Sequence, residues 1–236
     1  MTTQEEPLLR QEVLGDPTAA CVTLVGLLIF FLGLMFAGYL PASALYLYTP
    51  ALFFAGIVEV VSGGLLVRKG EHITGMVFLV FGPLLLSIAV IALGLAHGWW
   101  IPAGPPAAAT AATGSLDKVF GGYLISFTIV LSLWTFLSVV LPLIFTVILA
   151  PLSTALWLLA IADWNNSPAG LDKTAGWLLM ITSVFCFYFM ASAWLKWTGR
   201  DILPHGPSLL PPPRPAHTAG DGRATQTASG PSGVIT

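Results

Sequence analysis

The chain has 236 residues, of which 56% are hydrophobic and only 8% charged. A soluble globular domain carries about 25% charged residues, so a water-soluble fold is excluded and lipid must be the solvent for most of the chain. With a net charge of −2, no nucleic-acid partner is expected.

A helix needs about 20 apolar residues to cross the hydrocarbon core, and six uncharged stretches approach that length. Residues 1–16 read as an acidic cytoplasmic tail without the basic start of a signal peptide. The first span is expected at about 19–40 and the second at 50–67, separated by Pro41 and a turn region at 43–49. The charged hinge Arg68, Lys69, Gly70, Glu71, His72 leads into a third span at 73–95, and an Ala/Gly/Pro-rich loop follows at 101–118. No charge occurs over residues 119–162, a stretch of 44 that fits two spans, 119–141 and 142–162. The turn is expected at Leu141-Pro142, because proline lacks a backbone donor and disfavours helix in the residue before it. A sixth span is expected at 175–195, and residues 204–236, rich in Pro, Gly, Ser and Thr, read as a disordered tail. The sequence therefore predicts an all-α, six-helix transmembrane domain over residues 17–203.

Six spans put both chain ends on one side. Arg10, Arg68, Lys69, Lys196, Arg200, Arg214 and Arg223 fall there, and only Lys118 and Lys173 fall opposite. Cytoplasmic loops carry the excess of Lys and Arg, so both termini are expected in the cytoplasm.

Three segments carry a resemblance to a known family. Asp16-Pro17-Thr18-Ala19 leading to Gly38-Tyr39 is similar to an opening Asn-Pro-Ala-Pro motif and the end of its helix. Residues 53–70 resemble a second helix with a small pair at Gly63-Gly64 and a basic hinge. Ala175-Gly176-Trp177, with Gly199-Arg200-Asp201-Ile202-Leu203-Pro204-His205-Gly206-Pro207, looks like a last helix closed by Gly-Arg-x-x-Leu-Pro-x-Gly. These are features of the acetate uptake transporter family, and the likeness covers roughly residues 16–207. It implies a homo-hexamer in a cell membrane, with one narrow pore per six-helix protomer, moving small monocarboxylates together with protons and needing no cofactor. Family pores are pinched by a phenylalanine, a tyrosine and a leucine. Those positions fall at Val25, Phe81 and Leu152, so only the leucine is kept. An apolar ring imposes a large desolvation penalty on an anion and a much smaller one on a neutral acid, amide or amine.

Other residues carry weaker signals. Glu59 is the only carboxylate inside an expected span, and a mid-membrane charge costs at least ~2.5 kcal/mol. It reads equally well as a proton-coupling group or as a neutral acid hydrogen-bonded between helices; the family has glutamine there. Asp16 and Pro17 form a helix start, aspartate capping free N–H groups and proline pre-set for the first position; the resemblance adds a place at the pore entrance. Gly82-Pro83 predicts a kink that frees the Leu79 carbonyl, with Ser87 as a nearby donor. Thr18, Thr23, Thr128, Ser132, Thr135 and Ser138 offer hydroxyls that more often bond their own or a neighbouring helix than line a path. His72 and His97 lie on opposite sides and cannot share a metal, and no metal site is expected. A membrane enzyme would need two or more polar groups at one depth, and Glu59 is alone. The expected function is a transporter or channel for acetate or a similar small monocarboxylate. A channel for a neutral solute or ammonia, or a non-transporting scaffold, are the alternatives.

Overall fold

The computed structural model describes residues 17–99, 106–165, 170–200 and 202–210, the side chains of 106–117 excepted. Its six long helices are α1 (Thr18–Phe36), α2 (Ala44–Arg68), α3 (His72–Ala96), α4 (Pro106–Leu137, extended by a 3-10 turn Ser138–Val140), α5 (Leu143–Asn165) and α6 (Gly170–Trp197). Each includes a stretch long and apolar enough to cross a membrane. No named strand occurs among the described residues. With successive helices alternating in direction, the start of α1 and the end of α6 share one side, the terminal side.

Where the helices stop follows from glycine. Gly38, Gly70, Gly98 and Gly199 all have positive φ, and each precedes a residue whose N–H reaches back to a carbonyl five positions earlier, as in Tyr39 to Leu34 and Glu71 to Leu66. This is the terminating motif in which a left-handed residue satisfies orphan carbonyls. It shortens the first span, which ends at Phe36 and not at residue 40. The second span is longer than expected, because helix already begins at Ala44 and carries Pro50 inside it. Pro50 forgoes one intrahelical bond, that to the Tyr46 carbonyl, and the helix continues through it, so residues 44–49 are helix and not a turn. Similarly, α4 begins at Pro106 within the expected loop, where an alanine-rich run favours helix. Leu141 between α4 and α5 is extended, the conformation a following proline imposes.

The helices pack as α1 on α6 and α2, α2 on α3, α4 on α5, and α5 on α6. Glycines set the closest approaches. A methyl on Gly56 would stand 2.8 Å from the Gly82 carbonyl oxygen, and one on Gly63 the same distance from that of Gly75. Both pairs repeat at seven residues on antiparallel helices, the period of a left-handed crossing, and small residues let backbones touch without side chains between them. Gly33 and Gly176 do the same for α1 and α6, where a methyl on Gly33 would meet the Gly176 carbonyl oxygen at 2.9 Å. The α4–α5 seam is polar instead. The Ser132 hydroxyl donates to the Thr128 carbonyl at 2.7 Å, so it accepts from Ser153 at 2.9 Å and from the Trp157 indole at 3.0 Å. Ser138 donates to the Thr135 carbonyl and accepts from Thr146 at 2.9 Å.

The disordered tail expected from residue 204 does not begin there. Residues 204–210 fold back on the α4–α5 turn, with a bridge between Pro142 and Ser208 and a bond from the Leu210 N–H to the Val139 carbonyl. Proline and glycine content misleads here because the turn offers unpaired backbone groups that this segment satisfies. Residues 1–16 and 211–236 lie outside the described residues.

Candidate functional site

Val25 lies seven residues into α1, Phe81 nine into α3 and Leu152 nine into α5. At 1.5 Å per residue all three sit roughly 10–14 Å from the terminal-side helix ends. All three are buried and line one cavity of about 50 Å³, room for a few water-sized groups. From that level the cavity extends toward the terminal side, bounded by Ile73 near the start of α3 and Leu141 in the α4–α5 turn. Its remaining wall includes Val22, Phe78, Trp134, Phe145 and Cys186.

Helical spacing explains the wall. Thr74, Val77, Phe78 and Phe81 on α3, and Phe145, Ile148, Leu149 and Leu152 on α5, each follow the i, i+3, i+4, i+7 pattern of one helix face. Extending Phe81 and Leu152 backward at that period would have found them from sequence. Trp134 and Cys186 carried no such signal.

The wall is almost wholly apolar. Thr74 and Ser138 border the cavity, the Ser138 hydroxyl bonding Thr135 and Thr146, and among the described residues no Lys, Arg, Asp, Glu or His lines the space. An anion entering would shed water and gain no charged partner, at a cost of several kcal/mol or more, whereas a small neutral molecule gives up far less.

The other sequence candidates fall elsewhere. Glu59 is fully buried yet is not part of the cavity wall, and neither carboxyl oxygen has a hydrogen-bond partner among the described residues. It stands on α2 between Gly56 and Gly63, the two glycines pressed on α3. Pro17 occupies the cap position of α1 with helical backbone angles, and its carbonyl accepts the Cys21 N–H at 3.0 Å; Asp16 lies outside the described residues. Pro83 is inside α3, but the Ser87 hydroxyl donates to the Pro83 carbonyl at 2.7 Å and not to that of Leu79. Thr128, Ser132, Thr135 and Ser138 each donate to a carbonyl three or four residues back in their own helix. Cys21 and Cys186 are buried and not joined in a disulfide.

No curated protein matches the sequence. Among solved structures, one described as the bacterial acetate channel SatP matches with a TM-score of 0.69 at 20% identity, over 81% of this chain and 98% of that one. That likeness establishes the same membrane fold. The model of the GPR1/FUN34/yaaH family matches residues 3–200. The chain is an integral membrane protein that belongs to this family, the acetate uptake transporter family that the opening, hinge and closing motifs resemble.

Proposed function

We propose that the chain is a channel or transporter for acetate or a similar small monocarboxylate, carried together with a proton. Each protomer of a homo-hexamer holds its own path, and the assembly lies in the cell membrane with both termini cytoplasmic. The observation that carries this reading is the cavity inside a single chain, walled at one depth by Val25, Phe81 and Leu152. A fold shared with a protein described as an acetate channel supports it. Uptake of labelled acetate into proteoliposomes, with and without an inward proton gradient, tests it. Uptake above that of empty vesicles is expected, with accumulation only under the gradient. Flux no greater than in empty vesicles, for acetate and ammonia alike, would favour a scaffold.

The apolar wall favours a second reading, passage of a neutral solute. Acetamide, which has the shape of acetate without its charge, separates the two: on the second reading it moves through the protein, while labelled acetate is taken up no faster than by empty vesicles.

Glu59 is the proposed proton-coupling group. Its burial supports this, whereas its absence from the cavity wall requires it to act through the packing of α2 on α3.

A further inference from the structure

The segment after α6 is clasped alternately by α6 and by the α4–α5 turn. The Ser192 hydroxyl donates to the Leu203 carbonyl at 2.8 Å, and the Tyr188 hydroxyl donates to that of Pro204 at 2.9 Å. One residue on, the His205 carbonyl accepts the Ile144 N–H at 3.1 Å. Gly206 then passes so close to α5 that a methyl there would lie 2.8 Å from the Leu143 side chain. Ser208 bridges Pro142, and the Leu210 N–H donates to the Val139 carbonyl at 2.9 Å.

These bonds have a physical cause. Ile144 is the second residue of α5, and the first N–H groups of a helix have no partner within it. Backbone groups at membrane depth that lack water must find partners in the protein. The segment therefore completes the turn, and it does so where the turn meets the cavity, since Ser138, Leu141 and Phe145 all line that space.

His205 ties the two sides together. Its Nε2 lies 3.1 Å from the Ser192 hydroxyl oxygen. Because the Ser192 proton goes to Leu203, the imidazole N–H is the donor. The ring edge meets Phe189 at 5.4 Å between centroids, and Phe189 meets Phe145 at 5.2 Å.

We propose that residues 202–210 buttress the α4–α5 turn at the terminal-side end of the path, and that His205 is a positioning residue which, through Ser192 and Phe189, holds Phe145 against the cavity. The word "path" rests on the transport reading above; the positioning itself does not, and its test needs no transport.

Cys186 is a native reporter, because its side chain is buried and lines the cavity, whereas Cys21 is buried and does not. The full chain is labelled with methyl methanethiosulfonate, and modification of each cysteine is followed separately by mass spectrometry. His205→Ala should speed labelling of Cys186 roughly fivefold, the factor equivalent to one hydrogen bond of ordinary net strength. Cys21 should not change. His205→Gln, whose side-chain amide can donate to Ser192, should restore the slow rate. An unchanged Cys186 rate in His205→Ala, an equal rise at both cysteines, or a His205→Gln variant as fast as His205→Ala would each overturn the proposal. If the wild type passes no acetate while labelling behaves as stated, the transport reading fails and the positioning role stands.

Discussion

Phe81 stands where the family resemblance expects a tyrosine, with a ring of nearly the same size but without its hydroxyl. Phe81→Tyr places a donor at the level of Val25 and Leu152, whose own side chains offer none to an anion. A hydrogen bond to a carboxylate in such a site is worth about 1.5 kcal/mol or more, so acetate uptake should rise by about tenfold or more. Initial rates in proteoliposomes read this out, and an unchanged rate would show that the hydroxyl does not limit passage. Glu59 poses a different question. Glu59 is buried without a hydrogen-bond partner among the described residues, and Glu59→Gln keeps its size while abolishing titration. If Glu59 relays the coupled proton, the variant should lose gradient-driven accumulation while still equilibrating labelled acetate. Retained accumulation would remove it from the coupling step and leave a packing role on α2.

At the scale of the helix pair, the α2–α3 contact predicts a sharp difference between two neighbouring glycines. A side chain on Gly63 meets Gly75 and Leu79, whereas one on Gly64 points into open space. Gly63→Leu should therefore cost about 1–3 kcal/mol or more by overpacking, and Gly64→Leu should stay within about 0.5 kcal/mol, as for a surface change. Thermal unfolding in detergent compares them, and equal effects would mean that the pair does not pack as described. The sequence marked Gly63-Gly64 as a unit because adjacent small residues look alike in a string. Only the crossing geometry tells which of them touches. Other parts were legible for stated reasons. Charge-free length marks a span whatever its neighbours do, and Pro142 imposes its conformation locally on Leu141. The wall of the cavity was half legible: Val25, Phe81 and Leu152 came from resemblance, and helical period would have added Phe78 and Phe145. Trp134 and Cys186 join it only because α4 and α6 close the ring, a long-range fact with no local signature. The fold-back at 204–210 was hidden for a similar reason, since its partners in the turn lie 61 to 71 residues away.

For the whole molecule, the central question is how paths relate to protomers. Val25 from α1, Phe81 from α3, Trp134 from α4, Leu152 from α5 and Cys186 from α6 line the cavity, all from a single chain. If the assembly is a homo-hexamer, each copy should conduct alone. A blocking substitution then allows a count. Leu152→Trp places an indole at the level of Val25 and Phe81, filling a space of about 50 Å³ that holds only a few water-sized groups. Co-expressing tagged wild-type and blocked chains at varied ratios yields mixed oligomers. Acetate flux should then fall in direct proportion to the blocked fraction, because each intact protomer keeps its own path. A pore shared among six copies behaves otherwise: if one blocked copy closes it, flux follows the sixth power of the wild-type fraction and nearly vanishes at an equal mixture. Native mass spectrometry supplies the stoichiometry, and the curvature of the flux plot decides between the arrangements. A straight line supports a complete path within each chain, while a steep curve would move the conducting route to the interface between copies and leave the cavity walled by Val25, Phe81 and Leu152 as packing.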